Sequence, residues 1–141
     1  MKRDLMNHVH PVVLIAPQVA TDDTAIVSNI IDTKDYMGLV LILTLGTIAA
    51  AAVDATVLVE EANEADFSDG AEVEDDQLVG TEELAGFDQD ADDACRKIGY
   101  IGYKRYVRVT VTPASNDAAL PIAGTAVLGM AEIQPTSNPP A

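Results

Sequence analysis

The chain is short of the residues that usually advertise chemistry. Its 141 residues include one cysteine, Cys95, two histidines, no tryptophan and 4% aromatics. A single cysteine excludes an internal disulfide framework and a cysteine-based zinc cluster. No Gly-rich phosphate loop, His-Glu-x-x-His or Gly-x-Ser-x-Gly motif occurs, so neither a catalytic constellation nor a cofactor is expected. Basic residues are scarce: 8 Lys and Arg stand against 23 Asp and Glu, a formal net charge of −15. Such acidity repels phosphate backbones and sets nucleic acid aside as the main partner. The low hydrophobicity that accompanies disorder is also missing, because 48% of the chain is hydrophobic.

What charge there is lies unevenly. Residues 60–93 hold 15 acids and no Lys or Arg, while the remainder balances 8 acids against 8 bases. Five of those bases follow closely: Arg96, Lys97, Lys104, Arg105 and Arg108. Long apolar runs are nearly absent. The 17 uncharged residues 37–53 approach the length of a membrane span, but no Lys/Arg cluster or aromatic belt flanks them. The first half, Leu39-Val40-Leu41-Ile42-Leu43-Thr44-Leu45, reads as a strand buried on both faces. No membrane is expected as a partner. Asp4, His8, His10, Pro11 and Pro17 also break the order of a signal peptide.

The organisation reads as an extended N-terminal arm (residues 1–23), a β domain (24–133) with the acidic loop region 60–93 inside it, and a Pro-rich tail (134–141). Pro11 and Pro17 argue against a helix in the arm. Its apolar residues, Val9, Val12, Val13, Leu14 and Ile15 among them, need cover from the chain's own sheet or from a neighbouring subunit. Strands are expected at residues 25–31, 39–48, 56–61, 103–112 and 121–133, with 72–79 undecided between helix and strand and 80–93 an exposed loop. From Tyr103 to Thr112 the chain alternates: Tyr103, Arg105, Val107, Val109 and Val111 on a core face, Lys104, Tyr106, Arg108, Thr110 and Thr112 on the other. The sum is an all-β fold, a single antiparallel β-sandwich or barrel, jelly-roll-like or Ig-like.

Three groups of residues merit a chemical reading. His8 and His10 alternate and could share a metal, yet two ligands leave a zinc site open. Asp88, Asp90 and Asp92 repeat the spacing that opens a calcium loop, but Asp93 stands where glycine is needed and Gly99 where a bidentate Glu would close it. They are a weak calcium candidate beside the plainer reading, a solvated acidic surface. Lys104, Tyr106 and Arg108 present Arg and Tyr on one strand face, residue types favoured at the centre of protein interfaces.

The run Ile98-Gly99-Tyr100-Ile101-Gly102-Tyr103-Lys104-Arg105-Tyr106-Val107-Arg108-Val109, followed by Ala126-Val127-Leu128-Gly129, resembles a pattern in small virion proteins of tailed bacteriophages. The order of parts over residues 24–131 is similar too. An apolar strand ends in acids (Val57-Leu58-Val59-Glu60-Glu61), then come a Phe67-Ser68-Asp69-Gly70 turn, the basic strand, and a last strand ending in Leu-Gly. Tyr103 and Met130-Ala131-Glu132 depart from that pattern. The resemblance implies a non-enzymatic decoration or cement protein on the outer surface of a capsid head. Its partners would be the major capsid protein and further copies of itself, a homotrimer being favoured. A head–tail joining or tail-completion protein, and a calcium- or glycan-binding β-sandwich module, are the alternatives.

Overall fold

Alternating burial along nearly every long segment dictates the architecture. The strands are β1 (Val9–Ala20), β2 (Ile26–Val27), β3 (Ile31–Asp32), β4 (Tyr36–Leu45), β5 (Asp54–Ala62), β6 (Ala71–Glu72), β7 (Leu78–Val79), β8 (Phe87–Asp88), β9 (Cys95–Tyr100), β10 (Tyr106–Ala114) and β11 (Leu120–Ala131). A four-residue helical turn, α1 (Glu82–Ala85), and two 3-10 turns at Met6–His8 and Asp75–Gln77 interrupt them. The computed structural model describes residues 1–140. Two antiparallel sheets pack face to face as a β-sandwich. Sheet A has the order β1-β11-β4-β9-β7; sheet B has β2-β10-β5-β6, with β3 also on β10 and β8 also on β5.

The core follows from period-2 burial. Leu39, Leu41, Leu43 and Leu45 of β4 join Val57 and Val59 of β5 and Val107, Val109 and Val111 of β10 in one buried cluster. Each such side chain contributes about 1.5–3 kcal/mol of hydrophobic free energy, enough in sum to order the short strands at the rims.

Residues 25–31, expected as one strand, are two. Ser28 separates β2 from β3, and its amide donates to the Val109 carbonyl (2.9 Å) while its Oγ accepts from the Val109 amide (2.8 Å), so the ladder on β10 continues through it. The arm is likewise a strand of the chain's own sheet. β1 pairs antiparallel with β11, with His10 opposite Leu128 and Val12 opposite Ala126. As a rim strand it tolerates Pro11 and Pro17, since a missing N–H costs little where no further strand pairs. Its open side is covered locally: the Asn29 amide and side chain donate to the Leu14 and Val13 carbonyls (2.8 and 3.1 Å), and Thr136 Oγ1 donates to the Val9 carbonyl (2.7 Å). The tail is therefore docked at Thr136.

Two further expectations need correction. The strand expected over 103–112 begins only at Tyr106, as β10 of sheet B, and Tyr103 and Arg105, assigned to the core face, are exposed on the connection from β9 of sheet A, Tyr103 at 92%. Residues 80–93 are not wholly an exposed loop. Thr81 caps α1 through a hydrogen bond from the Leu84 amide (3.1 Å), and Ala85, Phe87 and Ala91 are buried among the acids.

Candidate functional site

The basic strand face is tied up within the chain. In the register of β5 and β10, Arg108 lies opposite Glu60, and its guanidinium donates to both carboxylate oxygens (2.9 and 3.1 Å). Thr110 Oγ1 donates to the same carboxylate (3.0 Å), and the Phe67 ring lies 4.3 Å from the guanidinium carbon. Arg105 forms a second forked pair with Asp32 (2.7 and 2.6 Å) and sits over the ring of half-buried Tyr106. Lys104 Nζ lies 3.6 Å from Glu61. The charges expected to face a partner at Lys104 and Arg108 are thus matched by carboxylates of this chain, because antiparallel register places the end of the acidic strand beside them.

These pairs set an acid limb of stability. The Arg108 hydrogen bonds hold Glu60 below the usual carboxylate range, and Arg105 does the same for Asp32. A lowered folded pKa contributes stability above the unfolded value and loses it as the pH falls through the folded one. Glu82 has the opposite sign. Its carboxylate accepts from the Val59 amide at the uncovered edge of β5, and burial raises its pKa, aided by Glu72 and Asp75. Its contribution is full at low pH and fades as the pH rises through the raised value. The thermal midpoint is therefore expected to change little from pH 7 down to about 5 and then to fall steeply below about 4. Glu60→Gln should make that limb shallower, which calorimetry across the range would read.

The other candidates separate. Asp88 Oδ1 accepts from the Asp90 amide (3.0 Å), and Asp92 Oδ1 accepts from the Ile48 amide (2.7 Å). Asp88 shapes its own turn and Asp92 ties that turn to the distant Ile48 backbone, and no group of three His, Cys, Asp or Glu side chains suited to a metal forms among the described residues. His8 ends an exposed 3-10 turn while His10 is buried against the Tyr36 ring (centroids 5.4 Å apart), so the two do not share a ligand position. Leu14 and Ile15 are in the core, and Val12 is half-buried against it. Of the five expected arm contacts, only Val9 and Val13 stand on the outer side.

A signal not legible along the chain emerges from register: the outer face of sheet A is almost free of charge. Across it, Val13 lies beside Thr125, Thr125 beside Ile42, and Ile42 beside Lys97. In the next outward row, Pro11, Val127, Val40, Gly99 and Val79 are neighbours in turn. Gly129 pairs Gly38 in the row beyond. Lys97 is the one charged side chain among these outward positions. The corresponding face of sheet B carries the Glu60–Arg108 pair and the acids around β6. At one end the sheet A face sinks into an apolar groove of about 830 Å³ between Met37 and Met130 on one side and Val79, Leu84 and Ile101 on the other. Cys95 is exposed on the same face, with its Sγ 3.8 Å from Thr44 Oγ1.

No family model and no curated protein matches the sequence. Solved structures with a similar course exist. The SPBc2 prophage-derived protein YomS shares 9% identity at a TM-score of 0.44, covering 89% of this chain and 99% of that one. A chain of infectious bursal disease virus, Gx strain, shares 10% at 0.44, over 94% of this chain and 33% of its own. The Clostridium thermocellum endo-1,4-beta-D-xylanase 10B shares 7% at 0.41, over 94% and 28%. Likenesses this distant pass no function to the chain.

Proposed function

We propose that this protein is a non-enzymatic structural component of a phage virion that attaches to the outside of the capsid shell and reinforces it. The observation that carries the reading is the segregation of charge between the two outward sheet faces. An apolar face with Lys97 as its one charge suits attachment to a partner surface, and an acidic opposite side remains solvated and keeps the particle soluble. The resemblance of residues 98–109 and 126–129 to small phage virion proteins supports the same class. The basic strand in that resemblance acts as a fold element, its guanidinium groups locking β10 to β5 and to Asp32.

The attachment is weak per copy and strong in sum. Neighbouring strands lie about 4.8 Å apart and rise about 3.3 Å per residue, so four long strands offer roughly 500 Å² of face. That is below the roughly 800 Å² per partner of a standard stable interface. Repetition over a shell compensates through effective concentration. The major capsid protein is the partner in this proposal, and copies are joined in closed rings, a trimer being favoured.

Counting copies in purified particles by quantitative mass spectrometry tests the assignment. Hundreds per particle are expected; roughly a dozen would mark a ring at the head–tail joint instead, and absence from particles would overturn the virion role. Washing particles with salt from about 0.05 to 1 M should leave occupancy nearly unchanged, because a contact that is apolar apart from Lys97 offers little charge to screen. Release by salt would return the docking role to the charged strand.

A further inference from the structure

The groove at the Met37–Met130 end of sheet A combines apolar walls with two cations that the chain leaves unmatched. Arg96 and Lys97 are the charged residues that line it. The ion pairs among the described residues join Lys104 to Glu61, Arg105 to Asp32 and Arg108 to Glu60, so neither groove cation has a carboxylate at ion-pair distance. Lys2, Arg3 and Lys34 lack one too, but they stand in open solvent. In a chain with 23 acids against 8 bases, two adjacent unmatched bases beside an apolar surface suit an anion brought from outside. The Arg96 Nε donates to the Gly86 carbonyl (3.2 Å), which holds the guanidinium at the α1 wall, while the Lys97 side chain is exposed.

The floor says what kind of anion. Gly38 and Gly129 face each other across β4 and β11, and neither takes a positive φ. A Cβ on Gly38 would meet nothing nearer than 3.5 Å, and one on Gly129 nothing nearer than 3.7 Å, so the fold has room for side chains that the sequence omits. Strand glycines of this kind mark the close approach of a ligand or another chain. Here β4 lies between β11 and β9, and β11 between β1 and β4, so the floor's amides and carbonyls are spent on neighbouring strands. A polypeptide laid across it would leave its own amides without partners, whereas a hydrocarbon chain has none to satisfy. From Val9 on β1 to Lys97 on β9 the groove crosses three strand spacings, about 14 Å. An extended alkyl chain covers that span with about eleven C–C bonds.

We infer that the groove binds a single-chain fatty acid of about twelve carbons. Its alkyl chain lies over Gly38 and Gly129 with Met37 and Met130 folding against it, methionine being the side chain that adapts most readily to such a surface. Its carboxylate, ionised near neutral pH, sits at Lys97 and Arg96. The half of the sheet A face around Val13, Ile42 and Ala123 stays open for another surface. The inference rests on the lining of the groove and holds whether or not the chain resides in a virion.

Isothermal titration calorimetry of the full chain with sodium dodecanoate tests it. One ligand per chain should bind, with a dissociation constant on the order of 10–100 μM for a half-buried alkyl chain and one charge-assisted contact. Octanoate, with its shorter chain, should bind at least about tenfold more weakly. Lys97→Glu, a change at an exposed side chain, should weaken dodecanoate at least about fivefold with the thermal midpoint unchanged. Gly38→Val, which fills the floor, should weaken it at least about tenfold. Cys95, the chain's one thiol, lines the groove, so bound dodecanoate should slow its alkylation by iodoacetamide several-fold. No saturable heat up to about 1 mM dodecanoate, equal binding by wild type and both variants, or unaltered Cys95 alkylation overturns the inference. So does pelleting of the chain with phosphatidylglycerol vesicles that dodecanoate fails to release, which would give the groove to a lipid surface. A dimer that persists in dodecanoate would give it to a second copy and overturn the inference as well.

Discussion

Leu14→Ala should lower the free energy of unfolding by roughly 2–5 kcal/mol, the range for truncating a fully buried leucine whose surroundings cannot collapse around the loss. Leu14 is wholly buried although it lies on β1, the rim strand of sheet A, and Ile15 beside it is buried too. The backbone there is held from both sides, by β11 on one and by Asn29 on the other. Val13 points outward from the same stretch and serves as the internal comparison, with Val13→Ala expected within about 0.5 kcal/mol of wild type. Urea unfolding of the two variants separates an integral strand from a detachable arm, because a detachable arm would make both substitutions silent. The corollary is severe: removing residues 1–20 strips β11 of a neighbour along its whole length and should abolish cooperative unfolding.

Tyr100→Phe is the second large effect, about 1.5–3 kcal/mol. Tyr100 ends β9 in sheet A, and its hydroxyl donates to Glu61 Oε2 of sheet B at 2.6 Å while accepting from the Lys104 amide at 3.0 Å. Burial and the negative neighbour raise the phenol pKa, which keeps it a donor throughout the working range. Glu61 faces inward, and its other oxygen has only Lys104 Nζ at 3.6 Å. Phenylalanine would preserve the packing and leave both the carboxylate and the amide short of a partner. The double variant Tyr100→Phe/Glu61→Gln should recover part of the loss, because a neutral amide costs less to bury than an unpaired carboxylate. No recovery, or a single-variant loss under about 0.5 kcal/mol, would show that the bridge does not couple the sheets.

Much of this architecture is written in local pattern, and the exceptions have physical causes. The alternation Val107, Val109, Val111 and the run Leu39 to Leu45 announce central strands because each side chain's fate is decided by the pleat alone. The twin Ile-Gly-Tyr triplets show the limit. Ile98-Gly99-Tyr100 is strand, whereas Ile101-Gly102-Tyr103 is the connection, because Gly102 packs onto the Tyr100 ring, where an added Cβ would come within 2.5 Å. That contact joins residues through space, and neither triplet encodes it. Acidity likewise conceals burial in 80–93, where Ala85, Phe87 and Ala91 point inward between solvated carboxylates. The pairing of Arg108 with Glu60 needed the register of β5 on β10, and the pairing of Gly38 with Gly129 needed that of β4 on β11, since the two glycines lie 91 positions apart in sequence. Among the candidate contacts, Leu14, Ile15, Lys104 and Arg108 are side chains that the chain uses itself, whereas Val9 and Val13 face outward.

The covered rim of sheet A bears on how copies can be arranged. With prolines at positions 11 and 17, and Asn29 and Thr136 spent on the carbonyls of Val13, Leu14 and Val9, β1 has few free groups left with which to recruit another strand. A sheet that cannot be lengthened sideways cannot polymerise into a continuous ribbon. Molecules of this kind can crowd on a common surface at high density and still remain discrete tiles, each removable without unravelling the next.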